Sequence, residues 1–222
     1  MIKRTFCVLL LCLLLTVWAA GSVIPGMARN EKTLLSCFDT YAQTAHLGVK
    51  KGEYPLFAQT LAAFFRGETD DPNVASHPFW DYEVTHLFDV RRLMNGIRAA
   101  AFAALALAAL LGIFLLSKRG RRGLATAWLW GFFLYMTTVV LITVFAVLDF
   151  NRLFVLLHEL LFTNDLWLLD PRTDLLIALM PEGMFMHLAL QVLYRLLPVM
   201  GVFVITTVVS EALRVKSRKP RQ

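Results

Sequence analysis

Long runs of apolar residues alternate along this chain with stretches in which charged, polar and turn-forming residues are crowded. A helix needs roughly 20 apolar residues to cross the hydrocarbon core of a bilayer. Four runs meet that length: 5–25, 99–117, 124–148 and 188–210. The second contains AAAFAALALAALLGIFLL without a charge, and the fourth carries one, Arg195. The pattern predicts an all-α membrane protein with four transmembrane helices. Residues 1–4, 118–123 and 211–222 are then short ends and turns, and 26–98 and 149–187 are the two larger polar segments.

The first polar segment reads as a mainly helical cap. Glu31 to Leu47 has apolar positions at Leu34, Leu35, Phe38 and Tyr41, the spacing of a helix face. Leu56 to Arg66 reads as a short helix ended by Gly67, and residues 67–78 are turn-rich. Thr85 is the expected N-cap of a helix running from His86 through Arg98 into the second span. In the second segment, Leu153, Leu156, Leu157, Leu160 and Leu161 recur at helical spacing. They predict either an outward continuation of the third span or a helix lying in the interface, ended by Asn164-Asp165. Trp167 stands where an interfacial aromatic would. Asp170-Pro171 is a turn signal, and a short helix from Thr173 to Met180 is expected to stop before Pro181.

Composition supports the membrane class. The chain has 222 residues, 58% of them hydrophobic, and a mean hydropathy of +0.61. Soluble domains lie near 45–50% apolar. Eleven basic residues occupy the ends and the 118–123 turn, and fifteen of the sixteen acidic residues lie in the two larger segments. Basic loops stay in the cytoplasm. Both termini are therefore expected in the cytoplasm, with the cap and 149–187 outside the plasma membrane. The net charge of +6 is read as this topology signal and as affinity for anionic membrane lipids, not as nucleic-acid binding. The first run is long for a signal peptide, and we expect it to stay attached. Cys7 and Cys12 lie inside it and Cys37 stands alone outside, so no disulfide framework is implied.

Candidate chemistry gathers in the outer segments. In EVTHLFDVRR, Glu83, His86 and Asp89 are spaced by three, and a carboxylate one turn from an imidazole can orient it for general acid–base work. His158 lies among leucines, where an imidazole costs free energy unless it is paired or used. His46 and His77 read as surface residues, and His187 as a packing or hydrogen-bonding residue at the outer boundary. Asp165, Asp170, Asp174 and Glu182 add acids, Glu182 standing where the chain re-enters the membrane. Gln191 and Arg195 share a face with His187. Arg195 has two open readings: it lines a cavity that meets a lipid phosphate or carbonyl, or it snorkels to the surface. The sequence from His158 fails the HExxH zinc pattern because Phe162 replaces the second histidine. No CxxC pair, GxSxG elbow or Walker loop is present. No metal or cofactor is expected, although spacing alone leaves a histidine–carboxylate metal site open.

The segments EVTHLFDVR at 83–91, LHELLFTNDLWLLD at 157–170 and DLLIALMPEGMF at 174–185 resemble the bacterial four-span family that includes the lipoprotein intramolecular transacylases, called Lit. The resemblance implies an enzyme acting on a diacylated membrane lipoprotein. The sn-2 acyl chain of its diacylglyceryl-cysteine would move to the N-terminal amine, giving a lyso-form product without an external donor. The residues themselves offer a site at the outer leaflet that fits this chemistry, with His158 and His86 as catalytic residues, one the general base and the other the proton donor or oxyanion stabiliser. Asp89, Glu83, Trp167, Asp170, Glu182 and Arg195 would orient it or bind substrate. The alternatives are a metal-dependent lipid-modifying hydrolase and a non-catalytic accessory protein; a transporter has little from which to build an ion path. Oligomeric state is not legible.

Overall fold

The computed structural model describes residues 2–116 and 124–191, and beyond them 194, 198, 201, 202, 205, 208 and 209. Among the described residues the chain is helical, with one isolated β-bridge, Val74 to His77. The helices are α1 (Ile2–Ala28), α2 (Glu31–Tyr41), α3 (Tyr54–Arg66), α4 (Asp81–Leu116), α5 (Leu124–Leu148), α6 (Phe150–Leu161) and α7 (Leu175–Leu179). An eighth, α8, covers 182–191. Among the described residues three helices, α1, α4 and α5, are long and apolar enough to cross a membrane. The fourth predicted span, 188–210, falls largely outside the described residues, as do Arg195, the 118–123 turn and the 211–222 tail.

The described residues pack as two compact units. One lies within Met1–Ser22, Ala99–Leu148 and Leu193–Gln222. Its buried centre is Val8, Leu11, Cys12, Ala108, Leu115 and Tyr135. A Cβ on Gly131 would come within 2.8 Å of a Val8 methyl and 3.1 Å of the Leu9 nitrogen, so only glycine lets α1 and α5 approach so closely. Small residues at such crossings are typical of membrane helices, where backbone proximity replaces the hydrophobic effect as the source of contact energy. The Thr16 and Tyr135 hydroxyls, 2.8 Å apart, add a polar contact between the same helices. Large side chains point outward: Leu110 is 66% exposed and Ile113 69%. That suits an acyl-chain environment and not water.

The other unit lies within Val23–Arg98 and Asp149–Val192. Phe38 of α2, Phe57, Leu61 and Phe64 of α3, Leu87 of α4, Leu179 of α7 and Met184 of α8 form its core. Local chemistry sets the helix ends. The Asn30 side chain accepts from the Thr33 amide and starts α2. Gly67, at φ 84°, ends α3, and the Glu68 and Gly67 amides donate back to the Ala63 and Phe64 carbonyls, a Schellman closure that favours glycine.

Several boundaries differ from expectation. α2 stops at Tyr41 and not at Leu47. The Gln43 amide leaves the helix and donates to Ala178 O at 2.7 Å, so a tertiary bond replaces the next helical one. α4 starts at Asp81, and Thr85 lies inside it with its hydroxyl on Asp81 O. The start is set by Glu83, whose carboxylate reaches back to the Trp80 amide, half of a capping box. Glu83 therefore lies within the first turn. α6 does not continue α5. The chain breaks at Asp149, whose side chain accepts from the Arg152 amide as an N-cap, and α6 ends at Leu161, before the expected Asn164. The Thr173–Met180 helix shortens to α7, Leu175–Leu179.

Candidate active site

α4 carries His86 and α6 carries His158, both within the second unit. Their rings lie 6.2 Å apart, centroid to centroid, tilted by 35°. Aromatic rings surround the pair. Phe154 is 4.1 Å from His158, one helical turn earlier on α6. Trp167 is 5.1 Å from it, and Phe162 stacks on it at 5.6 Å. Phe162 also meets His86 edge-on at 5.1 Å.

The hydrogen bonds differ between the two imidazoles. Nδ1 of His158 is 2.7 Å from the Phe154 carbonyl oxygen. A carbonyl only accepts, so Nδ1 carries the proton and Nε2 presents a lone pair. His86 is 6% exposed, and its buried Nδ1 has no hydrogen-bond partner. Buried polar atoms are nearly always satisfied, and an exception needs a reason. Burial pushes the His86 imidazolium down to about 4, assisted by repulsion from His158 and opposed by Asp89. Burial also lowers His158, against the bond to the Phe154 carbonyl. Both rings are neutral at neutral pH, one as a base with a free lone pair.

The predicted acids have other partners. Glu83 is fully buried. One of its oxygens accepts from the Trp80 amide at 2.7 Å and the other from the Leu176 amide at 2.7 Å. Burial raises its carboxyl, and these amide bonds oppose the rise. Its carboxylate thus joins the starts of α4 and α7 and does not hold the His86 ring. Asp89 accepts from Asn164 Nδ2 at 2.9 Å and lies 3.6 Å from Arg92. Asp170 pairs with Arg172 at 2.7 Å, which holds its carboxyl down to about 2. Glu182 accepts from Asn151 Nδ2 at 3.1 Å, joining α8 to α6.

The remaining histidines stand apart. His187 lies 2.7 Å from the Gln191 amide nitrogen and 5.4 Å, ring to ring, from Tyr41. His46 contacts the Pro171 carbonyl at 3.0 Å, and His77 pairs with Glu53 at 3.3 Å.

Sequence reasoning missed three contributors. Phe154 and Phe162 stand four residues either side of His158, a spacing visible in the sequence. Asn164 shows itself only through its tertiary bond. Asp174, one of the acids read from the sequence, is 4% exposed and accepts from the Tyr82 hydroxyl at 2.7 Å and from the Asp170 amide at 2.8 Å. Its carboxylate pushes the Tyr82 phenol up to about 12. Among the described residues, no group of three or more His, Cys, Asp or Glu is placed to hold a metal ion.

The model of the family described as lipoprotein intramolecular transacylase Lit matches residues 6–185. No curated protein matches the chain in sequence. Among solved structures, the fold is similar to an in meso structure of the membrane integral lipoprotein intramolecular transacylase Lit from Bacillus cereus. That pair is 21% identical over 97% of this chain and 98% of the other, with a TM-score of 0.73. A histidine-to-arginine variant of the Bacillus protein matches at 19% identity over 97% and 95% of the two chains, with a TM-score of 0.69. A histidine-to-alanine variant matches at 21% over 97% and 96%, also with a TM-score of 0.69.

Proposed function

The chain belongs to the lipoprotein intramolecular transacylase family, and on that premise we propose how its residues move an acyl chain. It is an intramolecular acyltransferase. The sn-2 chain of a diacylglyceryl-cysteine lipoprotein moves to that lipoprotein's own N-terminal amine, leaving a lyso-form product. His158 is the general base. Its Nε2 lone pair takes the proton as the amine nitrogen attacks the ester carbonyl carbon and the C–N bond forms. The C–O bond to the glycerol then breaks, and the departing oxygen takes that proton from Nε2 and becomes a hydroxyl. His86, neutral because burial keeps it so, turns its unpartnered Nδ1 as an N–H donor toward the oxyanion. A neutral imidazole donor of this kind stabilises charge without having to lose a proton.

The observation that carries this reading is the His158 Nδ1 bond to the Phe154 carbonyl, which selects the basic Nε2 tautomer. Both reacting groups belong to one substrate, so the site chiefly holds them in attack geometry. That can lower a barrier by roughly 7–11 kcal/mol. Trp167 and Phe162 shield the base from water. The substrate is a diacylated membrane lipoprotein, and no external acyl donor is consumed.

The setting is a bacterial plasma membrane. The chain spans it four times, at 5–25, 99–117, 124–148 and 188–210, with both termini in the cytoplasm. The 26–98 cap and 149–187 lie outside, with the site at the outer leaflet. The charge distribution supports this orientation. The exposed leucines of α6 support an interfacial position: Leu156 is 52% exposed and Leu160 77%, directly after a helix apolar enough to span.

Mass spectrometry of a reporter lipoprotein's N-terminal peptide tests the reading, in a host without other N-acylating enzymes. With this chain the peptide becomes N-acylated and keeps one O-linked chain. With His158→Ala it stays diacylglyceryl with a free amine, the rate falling roughly 10²–10⁴-fold. An unmodified peptide beside correctly inserted wild-type chain refutes the activity.

A further inference from the structure

The two imidazoles belong to different helices, and ring contacts alone do not fix their register. Such contacts are individually weak and tolerate a range of centroid separations. A directional bond is needed to hold α4 against the end of α6. The Asn164 Nδ2 to Asp89 Oδ2 bond at 2.9 Å is placed to do so. Asp89 stands one turn after His86 on α4. Asn164 stands just past the end of α6, in the turn that follows His158.

Asn164 also shapes that turn. Its side-chain oxygen accepts from the Leu166 amide at 3.2 Å, and the Leu168 amide donates to Asp165 O at 3.0 Å. The folded turn returns Trp167 to His158. Phe162, before Asn164, touches both imidazoles. The competing partner of Asp89 is weak: Arg92 lies 3.6 Å away with its side chain 85% exposed, a screened pair of little energy. Asp89 is therefore committed to Asn164 and not to the ring beside it.

We propose that Asn164 and Asp89 form a latch that sets the spacing of the two imidazoles and closes Trp167 over His158, which makes Asn164 a positioning residue of the acyl transfer. The proposal rests on the reading of His158 and His86 given above. Asp89 then acts on the site through the turn after α6. From α4, His86 meets His158 ring to ring, and Asp89 acts electrostatically on His86.

The experiment compares wild type, Asn164→Ala, Asp89→Asn and the exchange variant Asp89→Asn with Asn164→Asp. Transfer is followed on a synthetic diacylglyceryl lipopeptide in lipid–detergent micelles. An ångström of misplacement can cost about 100-fold in rate. The two single variants should lose roughly 10- to 100-fold in kcat with KM changed less than about threefold. Opening the turn hydrates His158, so the acid limb of the pH–rate profile should move to higher pH, toward the ordinary histidine value. The exchange variant restores one amide donor opposite one carboxylate, and it should recover kcat to within about threefold of wild type and return the limb.

Thermal melting checks the fold. If the single variants fail to fold, the exchange variant alone decides. An exchange variant that melts as wild type does but stays as slow as a latch-less site overturns the proposal. So does a folded Asn164→Ala with unchanged kcat and pH limb. An inactive wild-type chain would refute the acyl-transfer reading, whereas an active wild type with a silent Asn164→Ala refutes only the latch.

Discussion

At the scale of single residues, the environment of each histidine decides its protonation. Burial penalises the charged imidazolium, so both His86 and His158 lie below the ordinary histidine value of 6.5. A general base must be unprotonated to act. The kcat/KM profile should therefore rise with pH along an acid limb centred below 6.5, and flatten above it. A limb at or above 6.5 in folded wild type would contradict a buried, shielded base. The same shift carries a stability cost in acid. For His86, with a folded value of about 4, the unfolded chain binds the proton first. Stability present above about pH 6.5 should be lost as pH falls toward 4, by of the order of 3 kcal/mol from this residue. Thermal melting in detergent across that range checks the sign.

At the scale of helices, buried carboxylates act as joints. Glu83 satisfies the Trp80 amide of α4 and the Leu176 amide of α7 from opposite oxygens. Replacement by glutamine puts an N–H donor against one of those amides. Glu83→Gln should lose about 1–3 kcal/mol of stability, the cost of leaving a buried donor unmade. An unshifted melting curve would show that neither amide depends on the carboxylate. α6 is a different case, because its leucine stripe is exposed while Phe154 and His158 face inward. Leu156→Gln with Leu160→Gln should slow transfer in lipid vesicles. Stability in detergent should move by no more than about 0.5 kcal/mol, as for other surface changes. Equal rates in vesicles and detergent would argue against an interfacial α6.

At the scale of the molecule, three apolar helices among the described residues present large side chains outward, and a second unit buries a separate aromatic and leucine core. Half of the 22 basic residues lie in the ends and the 118–123 turn, and fifteen of the sixteen acids lie elsewhere. Cysteine-accessibility labelling from outside intact cells should mark sites introduced at residues 75 and 165. Sites at residue 120 and in the 211–222 tail should stay protected until the membrane is opened. Labelling of the tail from outside would reverse the proposed orientation.

The sequence by itself determined the apolar runs, the helical character of the segments between them and the residue types at the site. These signals are local: apolar length identifies a span, and a three-residue spacing puts His86 and Asp89 on neighbouring turns. The family segments at 83–91, 157–170 and 174–185 were also readable, because each is a continuous string. The tertiary structure alone decided what those residues touch. Asn164 and Asp89 are 75 residues apart, and Glu83 and Leu176 are 93 apart. No periodicity links such positions. The start of α4 was misplaced at Thr85 for the same reason, since Glu83 acts by accepting a backbone amide, a group present at nearly every residue. The separation of His86 from His158, the tautomer of His158 and the aromatic rings around it depend on how α4, α6 and the turn after α6 pack together. That packing follows from long-range contacts, which a one-dimensional pattern does not encode.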